Sequence, residues 1–105
     1  MLNYRDRLRR LALNEPQPLG EMLEVAPALD SRMLAIARLA SLIAVGGTEP
    51  TFGEYTDAAL SAGATADEIV GVLTGVGSVV GVPRVVSAAS KVAVALGVDV
   101  DQFES

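Results

Sequence analysis

The chain has no cysteine, no histidine and no tryptophan in its 105 residues. Without a thiol it can run neither disulfide exchange nor thiolate catalysis, and it can form no disulfide scaffold and no Cys-ligated zinc site. Without an imidazole it also lacks the side chain best suited to move protons near neutral pH and the commonest metal ligand. No metal and no cofactor is expected. Aromatics are scarce too, at two Phe and two Tyr, although half of all residues are apolar. The core must therefore be built from Ala, Val, Leu and Ile, and small side chains of this kind suit closely approaching helices.

Basic charge is also in short supply. Thirteen acids against eight bases leave a net charge of −5, which disfavours nucleic-acid binding through phosphate neutralisation. The bases are unevenly placed. Arg5, Arg7, Arg9 and Arg10 against Asp6 give the first ten residues +3 and leave −8 on the rest. Such a stripe is most often a solvated helix face; the other readings are contact with the acidic body of another copy or with a membrane. Because arginines interrupt the apolar residues from Met1 to Leu13, this segment does not read as an export signal, and the absence of cysteine fits a cytoplasmic protein.

No run is long enough to be a membrane span. The longest uncharged stretch, Ile69 to Pro83, has 15 residues where roughly 18 are needed. With Thr74, Ser78 and four glycines inside it, it reads as a buried core segment.

At this length one domain is the default. Tyr4, Leu8, Leu11 and Ala12 recur at helical spacing, so Asn3 to Leu13 reads as a helix ended by Pro16 and Pro18. A turn or two of helix is expected over Leu19 to Val25. Asp30 is placed to cap a helix from Ser31 to Val45, which is apolar on almost every side and so reads as central and buried. Gly46 and Gly47 end it. Thr48-Glu49-Pro50-Thr51 opens the next helix, which runs to Gly63.

Thr65-Ala66-Asp67-Glu68 has the form of a capping box, so another helix starts there. Its continuation is ambiguous. Val and Gly both disfavour helix, and two strands joined by a glycine turn are an alternative. Against strands, Gly71 and Gly75, like Gly77 and Gly81, are four apart; on a helix each pair shares a face on which another backbone could approach. Gly75-Val76-Gly77 is not read as a phosphate loop, because it follows a helix cap and lacks the Lys-Ser/Thr that would follow. Pro83 fits the first turn of a last helix, Arg84 to Leu96, and the residues from Asp99 form an acidic tail. The pattern is all-α: a compact bundle of five or six helices with short connections.

Several of these residues, taken together, resemble a known family. They are Ala26-Pro27, Leu29-Asp30-Ser31-Arg32, the run Ala58-Ala59-Leu60-Ser61-Ala62-Gly63-Ala64-Thr65-Ala66-Asp67-Glu68-Ile69, and Gly81-Val82-Pro83. The chain resembles the carboxymuconolactone decarboxylase and alkyl hydroperoxidase D group over roughly residues 22 to 98. The resemblance implies an all-helical fold, assembly as a homo-oligomer (trimer or hexamer), and a pocket between helices near the subunit contacts. In the hydroperoxidase branch a Cys-x-x-Cys pair is followed four residues later by His. Counted back from Gly63, the histidine place falls on Tyr55 and the cysteine places on Thr51 and Thr48.

Peroxidase chemistry is therefore excluded, since a Thr hydroxyl supplies neither the nucleophile nor the electrons of a thiolate. The decarboxylase branch keeps only the histidine, here again Tyr55. The acid that family members carry in the preceding helix has no counterpart between Ser31 and Thr48, and another family acid is here Gly71.

Tyr55 is thus the candidate catalytic residue, able to donate a proton or hydrogen bond; the alternative is a half-buried Tyr packed on Leu34 or Leu39. Arg38 and Arg32 are candidates to bind an anionic substrate. In its apolar helix Arg38 either reaches solvent, pairs with Glu54 or Asp57, or binds a ligand. Arg84 shares that ambiguity. Thr48 and Thr51 are candidate substrate contacts whose first role is to start a helix. The expected ligand is a small organic acid or lactone; no nucleic acid and no membrane is expected as a partner.

Overall fold

The computed structural model describes residues 3–14 and 29–99. Five helices account for nearly all of them: α1 (Tyr4–Ala12), α2 (Ser31–Val45), α3 (Glu49–Ser61), α4 (Ala66–Val80) and α5 (Val82–Ala95). The helix expected over residues 19–25 and the tail from residue 100 lie outside the described residues. No helix among those described is long and apolar enough to cross a membrane.

Each start obeys a local rule. Asn3 and Asp30 side chains accept hydrogen bonds from the Asp6 and Met33 amides, at 2.9 and 2.8 Å. Thr48 caps α3 with Pro50 in its first turn, and the capping box at α4 is complete in both directions, Thr65 with Glu68. The ends are equally legible. After α3, Gly63 takes φ +102° and the Ala64 amide reaches back to the Ala59 carbonyl; after α5, Gly97 takes φ +75° and the Val98 amide reaches Ala93. Gly81, at φ +89°, is at once the end of α4 and the cap of α5, so the chain turns between two helices on a single residue that needs the left-handed region.

The stretch that could have been strands is helix throughout α4. The capping box nucleates it, and Ile69 and Leu73, buried one turn apart, hold its inner face in the core.

Helices α2 to α5 pack mutually, every pair in contact, the largest interfaces being α3–α5, α4–α5 and α2–α3. Leu39, Ile43, Phe52, Ile69 and Val92 are the largest fully buried apolar side chains, with Ala59 and Ala88 letting the helices approach. α2 is less buried than its composition suggests. Only Leu39, Leu42 and Ile43 are buried, whereas Met33 is about half exposed. Its apolar excess therefore leaves a hydrophobic outer face. α1 approaches none of the other four helices and buries no residue.

One core position is polar. Thr56 is 0% exposed, on the same stripe of α3 as Phe52 and Ala59, and its hydroxyl has no hydrogen-bond partner. A buried hydroxyl of this kind is destabilising, and valine has nearly its shape. Thr56→Val is expected to raise stability by about 1 kcal/mol in urea denaturation. A decrease would show that the hydroxyl finds a partner in solution.

Candidate functional site

α2 and α3 run side by side, and the outer side of their contact carries two adjoining depressions of about 300 and 320 Å³. The first is lined by Ala37, Arg38, Ser41, Leu42, Val45 and Tyr55. The second is lined by Ala35, Arg38, Glu54, Tyr55 and Ala58. Arg38 and Tyr55 are common to both. Two residues nominated separately from the sequence are thus brought to one place, from different helices.

Both depressions are open and mostly apolar. Tyr55 is 37% exposed and so is not packed away in the core. Neither Tyr55, Arg38 nor Glu54 makes a side-chain hydrogen bond or ion pair among the described residues. The pairing of Arg38 with Glu54 or Asp57 that the sequence allowed is not formed within the chain. Ser41 is committed: its hydroxyl donates to the Ala37 carbonyl at 2.8 Å, leaving Arg38 as the free donor on this stretch of α2.

The other nominated residues stand elsewhere and already have partners. Arg32 forms an ion pair with Glu68, so the capping-box carboxylate accepts from the Thr65 amide on one oxygen and holds Arg32 with the other. That ties the start of α2 to the start of α4. Thr48 accepts from the Thr51 amide at 3.3 Å, and the two hydroxyls meet at 2.9 Å. Arg32, Thr48 and Thr51 line neither depression.

Arg84 is also occupied. It donates to the Val45 carbonyl at 3.1 Å, and Lys91 donates to the Gly47 carbonyl at 2.8 Å. The two cations sit at the negative end of the α2 dipole, Arg84 on the last helical carbonyl and Lys91 on that of Gly47 just beyond the helix. Lys91 also lies 5.6 Å from the centre of the Phe52 ring. A side chain at Gly46 would be strained by φ +84°, and its Cβ, 2.5 Å from the Arg84 Nη1, would push that guanidinium off its place. Lys91 was missed from the sequence. The available signal was its spacing of seven from Arg84, which puts both on one face of α5.

Chemically, the α2–α3 face offers one permanent cation, one phenol and one carboxylate on an apolar floor. It can bind an anion and donate to it, and Glu54 can accept a proton. No cluster of His, Cys, Asp or Glu among the described residues is suited to a metal ion.

A small four-helix body with an uncommitted Arg–Tyr–Glu set beside its second and third helices is the class these observations define. Residues 19–95 match the model of the Carboxymuconolactone decarboxylase family, which is most of the chain, and the chain belongs to that family. No curated protein and no solved structure gives a match. The matched span includes α2 to α5 and excludes α1.

Proposed function

We propose that the α2–α3 depression binds a small organic anion, a lactone or a carboxylate, with Arg38 on its charge and the Tyr55 hydroxyl donating to it. The supporting observation is that Arg38 and Tyr55 both line both depressions and neither is engaged elsewhere. A guanidinium is permanently charged and matches a carboxylate in a planar fork. Arg32, Thr48 and Thr51 support this reading less well, since each has a structural partner.

Should the bound molecule react, the family's name suggests loss of carbon dioxide from a carboxylated lactone. The C–C electron pair would run into the conjugated carbonyl as CO2 leaves, Arg38 would neutralise the resulting enolate, and Tyr55 would deliver a proton to carbon, to be replaced from water. No cofactor is required for that step.

The test is titration of lactone and dicarboxylate probes, carboxymuconolactone among them, followed by NMR of the α2 and α3 amides. Arg38→Ala and Tyr55→Phe are each expected to weaken binding roughly 5-fold, the worth of one ordinary hydrogen bond. Shifts confined to other helices, or an affinity in both variants equal to that of the unaltered chain, would remove the reading.

A second reading is favoured by a different surface. From Val70 to Val86 the exposed residues of α4 and early α5 include Gly71, Gly75, Ser78 and Val79, and Arg84 is their one charge; Val79 is 85% exposed. A face of this kind fits a subunit contact in a homo-oligomer, a trimer or hexamer, whose role would be assembly or partner binding rather than catalysis.

A further inference from the structure

Two apolar surfaces of this chain are left uncovered by the fold. The first is the apolar side of α1. Tyr4, Leu8 and Leu11 fall at i, i+4 and i+7 on one helical face, and all three are more than half exposed. The second is the apolar end of the α2–α3 groove, where Ala37 and Val45 are exposed and the Ser41 hydroxyl is turned back onto its own helix.

We propose that α1 of one copy lies in the α2–α3 groove of a second copy. Its Tyr4–Leu8–Leu11 stripe seats on Ala37, Ser41 and Val45, and it roofs the neighbouring depression that holds Arg38, Glu54 and Tyr55. The roofing function rests on the ligand reading above; the docking itself does not.

Dimensions agree. At 1.5 Å per residue the stripe from Tyr4 to Leu11 is about 10 Å long and the floor from Ala37 to Val45 about 12 Å. The shape of the chain favours a neighbour over its own groove. Its Cα radius of gyration is 16.2 Å with a longest extent of 55 Å, against about 13 Å expected for a compact chain of this length. α1 projects as an arm.

Charge selects the same occupant. Arg5 borders the stripe, and Glu54 and Asp57 stand exposed on α3 beside the groove. The other flank of the groove, α2, has no acid, and there Arg38 stays on the floor. Arg5 of the arm fits the Glu54 and Asp57 carboxylates, and the body, with seven acids against four bases over residues 29–99, is repelled by an anionic lipid surface. α1 also lies outside the matched family span, residues 19–95. Without it the depression is open to water and holds a bound anion weakly; with it, the anion is enclosed beside Arg38.

A chain without cysteine allows a direct test. Leu8→Cys and Ala37→Cys are made as separate full-length variants, one of them isotopically heavy, and mixed under mild oxidation. The expected product is a disulfide-linked mixed dimer, in severalfold excess over a control pairing Leu8→Cys with Ser90→Cys, an exposed α5 residue that lines neither depression. Leu8→Asp is expected to lower the sedimenting mass while the thermal unfolding of the body is unchanged. No cross-link above the control, or a purely intrachain disulfide in the Leu8→Cys/Ala37→Cys double variant at low concentration, overturns the proposal. So does binding of α1 to phosphatidylserine vesicles with no mixed dimer formed. Cross-linking needs no ligand, so it fails or succeeds independently of the Tyr55→Phe titration.

Discussion

Phe52→Ala is expected to lower the stability of the folded chain by about 3–5 kcal/mol, as Phe-to-Ala changes in packed cores do. Phe52 is 1% exposed and the largest fully buried side chain. The other helices meet it with aliphatic side chains and alanine, and Tyr4 and Tyr55 are both exposed, so no second buried aromatic among the described residues shares its load. Its ring fills the space below Gly47, where a Cβ would already touch it at 3.7 Å, and lies under the Lys91 ammonium. Deleting the ring opens a cavity where α2, α3 and α5 meet and loosens the clasp on the end of α2. For a domain whose total stability is about 5–15 kcal/mol, this is about a fifth of it or more. Guanidinium denaturation followed by circular dichroism measures the effect. A loss under 1 kcal/mol would mean that α3 is not anchored through Phe52. Lys91→Met, which keeps the ring but removes both the cation and its hydrogen bond to Gly47, should cost about 1–2 kcal/mol.

What was legible in the sequence follows the range of the interaction. Caps, capping box and positive-φ glycines depend on residues within one turn, so the start of α2 at Ser31, the box at Thr65–Glu68 and the stops at Gly46, Gly63 and Gly97 could be placed from spacing alone. Helical spacing and caps pointed to the helical class, and the quoted residue run to the family whose model matches residues 19–95. Faces were harder. α2 reads as apolar all round because Met33, Ala37 and Val45 look like core, yet only its Leu39–Leu42–Ile43 side is buried. The sequence contains no count of how many helices will pack on α2.

Long-range polar pairs were out of reach for the same reason. Arg84 to Val45, Lys91 to Gly47 and Arg32 to Glu68 join residues 36 or more apart. Which cation finds which acceptor depends on how the helices cross. In the site the same limit shows: the resemblance put Tyr55 at a functional place, and charge in an apolar helix singled out Arg38, but only the packing of α2 on α3 puts them around one depression. Glu54, named only as a possible partner of Arg38, joins them because it precedes Tyr55 on the same exposed side of α3.

Gly71→Ala combined with Gly75→Ala is expected to stabilise the isolated chain by about 1–2 kcal/mol in total, since each interior helical glycine costs roughly 0.5–1 kcal/mol relative to alanine. Spacing alone suggested that this pair invites another backbone. Within the chain nothing accepts: a Cβ on either residue would meet no atom within 4 Å, and both are exposed. Gly77 differs, because its Cβ would touch Val85 at 3.7 Å. The glycines of the outer face thus weaken α4 without any return inside the monomer, and close packing on a second copy would give them a use. If this face packs on a second copy, two added methyl groups force the helices apart, and the double variant becomes more heat-stable when dilute while assembling less well when concentrated. A gain in melting temperature together with unchanged sedimentation would leave α4 as a solvated face. In that case the α1 arm alone would carry assembly.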